Sequence, residues 1–108
     1  MPKYLIQGTM TREGIREGLA KAKGTGIREA VMKFAESAGG KIEAFYFCFG
    51  QYDTVAIADY PDNASAVAIS VAASGAGAIH LTMTALVTPA EMDQAIEKSA
   101  TLTPPARV

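Results

Sequence analysis

The sequence predicts an α+β domain in which helices cover one face of a four-stranded antiparallel sheet. Two strand-like runs, 41–49 and 53–60, flank a tight turn that contains Gly50, as in a β-hairpin. Helical periodicity separates this pair from one strand-like run before it and one after it. The predicted order is therefore strand, helix, strand, strand, helix, strand.

The first strand is predicted over 4–10, and the glycine-containing stretch 11–23 is expected to be a loop with a turn or two of helix. Thr25 is the expected N-cap of a longer helix that stops at 39–40, where two glycines follow each other. Its apolar residues recur at intervals of three and four. They are Ile27, Ala30, Val31, Phe34, Ala35 and Ala38.

The strand before the hairpin is apolar on both of its faces. Strict alternation gives one face Ile42, Ala44, Tyr46 and Cys48, and gives the other Phe45, Phe47 and Phe49. A small antiparallel sheet usually leaves one face to water. Two apolar faces therefore predict helices on one side and a second subunit on the other.

After the third strand, residues 61–63 should begin an alanine-rich helix that ends at 75–77. Its predicted inward stripe is Ala64, Val67, Ala68, Val71 and Ala72. The last strand, 79–87, has one polar face. Thr88 and Glu91 form a capping box around Pro89, which predicts a short third helix to about Ser99.

This order of elements is the split β-α-β arrangement of ferredoxin-like folds, and the resemblance to that fold implies the strand order 4-1-3-2. Two helices would cover one sheet face, while the other stays bare unless a second copy or the third helix covers it. We expect one domain over residues 1–100 and a flexible tail over 101–108.

Composition excludes several classes of function. The chain of 108 residues has a net charge of -1 and a pI of about 5.7, which argues against nucleic acid as a partner. No apolar run approaches the roughly 20 residues that cross a bilayer, so no membrane is expected and a cytoplasmic location follows by default. One cysteine gives no zinc-site spacing, and no metal or other cofactor is predicted.

Two groups of polar residues are candidates for a ligand site. Tyr52 and Asp53 follow the hairpin glycine, and His80, the only histidine, shares strand parity with Thr82 and Thr84. Gln7 and Thr9 on the first strand would join that patch if strands one and four are neighbours. The small side chains of Ala56 and Ala58 are expected to leave space above the bare face for a small molecule.

Each candidate also has a structural interpretation. Asp53 can bond backbone amides at the turn while Tyr52 packs over the strand end, and the threonines can satisfy one another in a wet subunit interface. Cys48 is interpreted as a buried small hydrophobe. Basic and acidic residues alternate over 11–29, which is typical of a solvated face.

The hairpin Gly50-Gln51-Tyr52-Asp53, with 55–57 and Pro61-Asp62 after it, resembles the GYD-domain family, which is named for a Gly-Tyr-Asp turn. Further matching features are Tyr4-Leu5-Ile6, Gly39-Gly40-Lys41 and Thr82-x-Thr84-Ala85-Leu86. The family is similar to the dimeric α/β-barrel group, in which two bare sheet faces meet. The resemblance implies an architecture and no reaction.

We therefore expect a non-catalytic homo-oligomer, a dimer or larger, with a possible small-ligand pocket on the sheet face. The alternative is a cofactor-free enzyme acting on a small organic molecule there, with His80 or Asp53 as base and Tyr52 or Thr82 orienting the substrate. A third alternative is a protein partner that binds the 11–23 loop and the tail.

Overall fold

A computed structural model of the chain describes residues 1–106, and residues 107 and 108 of the predicted tail lie outside this range. The predicted order of strands and helices is confirmed. The elements are β1 (Lys3–Met10), a π-helical segment (Gly14–Leu19), α1 (Ala20–Ser37), β2 (Lys41–Phe47), β3 (Thr54–Asp59), α2 (Asn63–Ala76), β4 (Ile79–Leu86) and α3 (Pro89–Ser99).

The four strands form one antiparallel sheet in the order β2-β3-β1-β4, which confirms the predicted 4-1-3-2 order. Helices α1 and α2 pack on one face of this sheet. The buried core between the two layers consists of Tyr4, Ile6, Ala35, Ala56, Ala58, Tyr60, Ala66 and Ile69. The fold is therefore the ferredoxin-like α+β sandwich.

The stretch after β1 is helical from Arg12 onward, so the expectation of a loop with only a turn or two of helix over 11–23 was wrong. The Thr11 hydroxyl accepts a hydrogen bond from the Gly14 amide at 3.0 Å, as the side chain of an N-cap does, and donates one to the Gly77 carbonyl at 2.8 Å. Gly14 is buried, and a Cβ added there would lie 2.1 Å from the Ala78 carbonyl oxygen. The lack of a side chain at Gly14 allows the helix to pack closely against Ala78 at the end of α2. The helix continues through this glycine.

Helix α1 consists of two helical pieces that meet at Lys23, whose φ of 60° lies in the left-handed region. The predicted helix is the piece after this kink, and it begins at Gly24, so Thr25 lies just inside it and is not its N-cap. Downstream of the kink the predicted stripe holds: Ala35 is buried and most of the other members are half-buried, although Ala30 is exposed. The helix ends as predicted, with Gly39 at a φ of 77°.

Strand β2 contains a bulge at Glu43, which changes the predicted faces. Ile42 pairs with Ala58 while Ala44 pairs with Ile57, so Glu43 is an extra residue between them. Ile42 therefore shares the helix-covered face with Phe45 and not, as predicted, the face of Ala44. The strand is also less buried than its composition predicts, since it lies at the sheet edge and Tyr46 is 68% exposed.

Helix α2 begins and ends where the sequence predicts, but it presents a different stripe to the sheet. The Asp62 carboxylate caps its N-terminus by accepting from the Ser65 amide at 2.8 Å, and Gly77 ends it with a φ of 79°. Its buried residues are Ala66, Ile69 and Ala73. Val67 and Val71 of the predicted stripe are exposed.

Helix α3 has the predicted capping box, in which Thr88 and Glu91 each bond the other's backbone amide at 2.9–3.0 Å. Every residue of this helix is exposed, so it covers neither sheet face. The chain is accordingly extended: its radius of gyration is 16.9 Å, against about 13 Å for a compact domain of this length. No helix within residues 1–106 is long and apolar enough to cross a membrane.

Candidate functional site

The sheet face opposite α1 and α2 carries most of the predicted site residues, and we call it the open face. Strand register defines it, because residues that pair directly across neighbouring strands point to the same side. Its members are Lys3, Leu5, Gln7 and Thr9 of β1, Ala44 and Tyr46 of β2, Val55, Ile57 and Asp59 of β3, and His80, Thr82, Thr84 and Leu86 of β4.

One half of the open face is polar. Strands β1 and β4 are neighbours, as the predicted patch requires, and Gln7 pairs with Thr82 while Thr9 pairs with His80. Thr84, the last member, pairs with Leu5. An amide, an imidazole and several hydroxyls therefore line two adjacent strands, and all except Gln7 are exposed. This patch can offer hydrogen bonds to a small polar ligand.

The other half of the open face is apolar. Leu5, Val55 and Ile57 lie at the sheet centre and are half-buried, with Tyr46 beyond them on the edge strand. Helices α1 and α2 belong to the opposite face, and α3 is exposed along its length. These side chains are therefore open to solvent in the single chain.

A charged cluster lies at the far end of the open face, and sequence reasoning missed it. The Lys3 ammonium bonds Glu43 at 2.5 Å and Asp59 at 3.0 Å. The hydrogen bonds to Glu43 and Asp59 raise the pKa of Lys3 above its ordinary value of 10.5. The bulge at Glu43 helps to bring this carboxylate over the sheet, and bulges of this kind have no clear signal in a single sequence.

Asp53 links the hairpin to the first strand. Its carboxylate accepts a hydrogen bond from the Met10 amide at 2.8 Å, and its own amide donates to the Gly8 carbonyl at 2.8 Å. The Asp53 carboxylate thus bonds a backbone amide, as its structural interpretation predicts, but this amide belongs to β1. The hairpin is bonded through the Asp53 carbonyl, which accepts from the Cys48 amide at 2.8 Å. The neighbouring Tyr52 is half-buried, and its carbonyl accepts from the Cys48 thiol at 3.2 Å.

The alanines that were expected to leave space over the open face lie on the other side of the sheet. Ala56 pairs with the buried Ile6, and Ala58 pairs with the buried Tyr4. The β3 residues on the open face are Val55 and Ile57, which are larger. The expectation failed because alternation along β3 could not by itself tell which face the helices cover.

Space is instead found on the helix-covered side, between α1 and α2. An inner cavity of about 90 Å³ has Ile6, Thr54 and Ala56 in its lining, and an outer cleft of about 350 Å³ has Ala30, Ala72 and Ala76. The two share six lining residues: Met10, Ile27, Val31, Phe34, Ala73 and Ile79. None of the predicted ligand-binding residues lines either space.

No group of three or more histidine, cysteine, aspartate or glutamate side chains within residues 1–106 is arranged to hold a metal ion. Cys48 is a free, half-buried thiol rather than the fully buried residue that its sequence context predicts.

Fold and surface together define a class of protein, namely a small ferredoxin-like α+β domain with helices on one sheet face and an open second face. The chain belongs to the GYD-domain family, whose model matches residues 4–96. That match covers β1 from its second residue, the other three strands and both packed helices. Searches of curated proteins and of solved structures gave no significant match.

Proposed function

We propose that this GYD-domain protein is a non-catalytic, self-associating domain whose open face pairs with that of a second copy. The observation that carries the proposal is the apolar half of this face, where Leu5, Val55 and Ile57 lie at the sheet centre without a helix over them. Contiguous apolar patches on a soluble domain are typical of interaction surfaces.

Helix α3 supports the same proposal. Met92 and Ile96 lie one turn apart on this helix and are 50% and 63% exposed. An isolated helix of eleven residues is marginal in water, so its apolar stripe is best explained by contact with another chain. Helix α3 follows directly on the edge strand β4, so a second copy that covers the open face would lie next to its beginning.

Pairing of two open faces would also enclose the polar patch formed by Gln7, Thr9, His80, Thr82 and Thr84. We propose that this enclosed patch holds a small hydrogen-bonding molecule in the assembled protein. Native mass spectrometry of the purified oligomer tests this part. The expected result is a bound mass that is retained by the wild type and lost on Thr82→Val substitution, and its absence from both would contradict a ligand role.

Self-association is tested by light scattering of the full chain at micromolar concentration. Wild type should be a dimer or larger, and Tyr46→Lys should raise the dissociation constant at least about tenfold by placing a charge in the interface. Phe49→Lys is the matched control, because Phe49 is fully exposed at the hairpin tip. A monomeric wild type, or equal effects of the two lysines, would refute the proposal.

Catalysis on the same face is the alternative, with His80 or Asp53 as base. What favours it is that both residues flank the end of β1: His80 pairs with Thr9, and Asp53 bonds Met10. What weakens it is that the Asp53 carboxylate already holds a backbone amide. His80 is also exposed in the single chain. A catalytic role for either residue stays a prediction.

A further inference from the structure

We infer that the cleft between α1 and α2 is a binding site for a neutral, apolar small molecule. This site lies on the opposite side of the sheet from the open face and does not depend on self-association. The outer cleft of about 350 Å³ leads into the inner cavity through their shared lining, so a ligand could reach the sheet itself. Its volume lies at the lower end of the range of small-molecule pockets.

The cleft exists because the two helices pack on different parts of the sheet. Helix α1 contacts β2 and α2 contacts β4, so each helix lies towards one edge of the sheet and a gap remains between the helices above the central strands. Small side chains on α2 leave the gap between the two helices unfilled. Ala72, Ala73 and Ala76 form that wall, opposite Val31 and Phe34 of α1.

The lining determines the chemical class of the ligand. Within residues 1–106, no charged side chain lines the cavity or the cleft, and the polar side-chain groups there are the hydroxyls of Thr54 and Tyr60 in the inner part. Both residues are nearly fully buried, and burial raises the pKa of the Tyr60 phenol, which keeps it neutral. A charged ligand group would lose its hydration here without a partner.

Charges near the rim do not offer an anion a fixed partner. Gly14 and Gly18 at the edge of the cleft also border a shallow pocket whose charged residues are Glu13 and Glu17. These carboxylates lie in one groove with Arg12 and Arg16, and Glu17 pairs with Lys21 at 2.6 Å. The rim charges therefore balance one another, and the uncharged lining decides the class of ligand.

Two fluorescent probes with the same aromatic skeleton test this inference. They are neutral N-phenyl-1-naphthylamine and its anionic relative, 1-anilinonaphthalene-8-sulfonate. The chain has no tryptophan, so the dye signal is free of that background. We expect saturable binding of the neutral probe, at least about tenfold tighter than that of the anionic one. Absence of saturable binding, or equal binding of both probes, would overturn the inference.

Matched variants locate the site. Ala72 and Ala68 are both exposed alanines one turn apart on α2, but only Ala72 lines the cleft. Ala72→Phe should weaken binding of the neutral probe at least about tenfold by filling the cleft, and Ala68→Phe should leave its affinity unchanged. Equal effects of the two would place the dye elsewhere and refute the site.

Tyr46→Lys separates this inference from the proposed function. It should leave dye binding unchanged even where it dissociates the oligomer, so loss of dye binding on this substitution would contradict a site within one chain.

Discussion

The Asp53 carboxylate accepts a hydrogen bond from the Met10 amide at 2.8 Å, across 43 residues of sequence. This bond, together with that from the Asp53 amide to Gly8, joins the β2–β3 hairpin to the last residues of β1. The aspartate that gives the family turn its last letter is therefore a connection between strands. Its contribution is to stability at the end of the sheet that also carries Thr9 and His80.

Replacing Asp53 should destabilise the fold. Asp53→Ala leaves the Met10 amide without its partner, and hydrogen bonds to charged groups contribute about 1.5–3 kcal/mol. The free energy of unfolding, measured by urea titration, should fall by about that amount in Asp53→Ala. Asp93→Ala on the exposed α3 is the control and should change it little. Equal values for the two variants would show that the Met10 bond is energetically unimportant.

Gly14 and Gly75 form a contrasting pair of glycines. Gly14→Ala would bring a Cβ to 2.1 Å from the Ala78 carbonyl oxygen, and overpacking of this kind costs about 1–3 kcal/mol or more. Gly75 lies in α2, where an added Cβ would meet no atom within 4 Å, so Gly75→Ala should stabilise the helix by up to about 1 kcal/mol. The midpoint temperature of thermal unfolding should fall in Gly14→Ala and rise in Gly75→Ala. A tolerated Gly14→Ala would mean that the contact with Ala78 relaxes.

The Asp62 cap makes stability depend on pH. Its hydrogen bond with Ser65 lowers the pKa of the Asp62 carboxyl below its ordinary value of 3.8. The folded state therefore favours the ionised form, and the cap's stabilisation is present above pH 3.8 and lost as the pH falls through the folded pKa.

Unfolding of Asp62→Ala, compared with wild type from pH 7 downward, tests this dependence. The free energy of unfolding of Asp62→Ala should lie furthest below that of wild type near neutral pH, and this difference should shrink in acid. Asp62→Asn keeps an acceptor that does not titrate in this range, so its difference from Asp62→Ala should not vary with pH. If the difference in unfolding free energy between Asp62→Ala and wild type stays constant to low pH, the cap's stabilisation does not depend on ionisation of Asp62.

Exposure of α3 gives a prediction about assembly. Met92→Ser combined with Ile96→Ser removes the apolar stripe while removing no buried contact within the chain. We expect weaker self-association by light scattering with no loss of the hydrogen-bonded helix by circular dichroism. The control is Asp93→Ser with Glu97→Ser on the same helix. Association that persists unchanged in the stripe variant would exclude α3 from the interface.

Local chemistry allowed much of the fold to be predicted. The Thr88–Glu91 capping box, the Asp62 cap and the glycines at 39 and 77 lie where the structure has helix ends, because these signals depend on a few neighbouring residues. Strand order followed from the resemblance to the fold.

Features set by tertiary packing could not be predicted from a few neighbouring residues. In α2, apolar residues are so frequent that more than one stripe fits a helical period, and the sheet selects Ala66, Ile69 and Ala73. The bulge at Glu43 shifts the alternation of β2 by one residue without a sequence signal.

The candidate site also has a part that the sequence predicts and a part that depends on tertiary or quaternary packing. Parity along β1 and β4 predicted that Gln7, Thr9, His80 and Thr82 share a face, and the register confirms it. Whether that face closes around a ligand depends on a second chain. The α1–α2 cleft was missed because it arises where two helices fail to meet, and no residue type marks such a gap.

The irregularity in β2 has a bearing on how copies of this chain can add to one another. An outer strand with free amides and carbonyls is a template for endless strand-by-strand growth into fibres. The extra residue at Glu43 breaks the even spacing of those groups on β2, and its ion pair with Lys3 puts two charged side chains at that end of the strand. Fibre growth by addition of an identical strand along β2 is thereby discouraged.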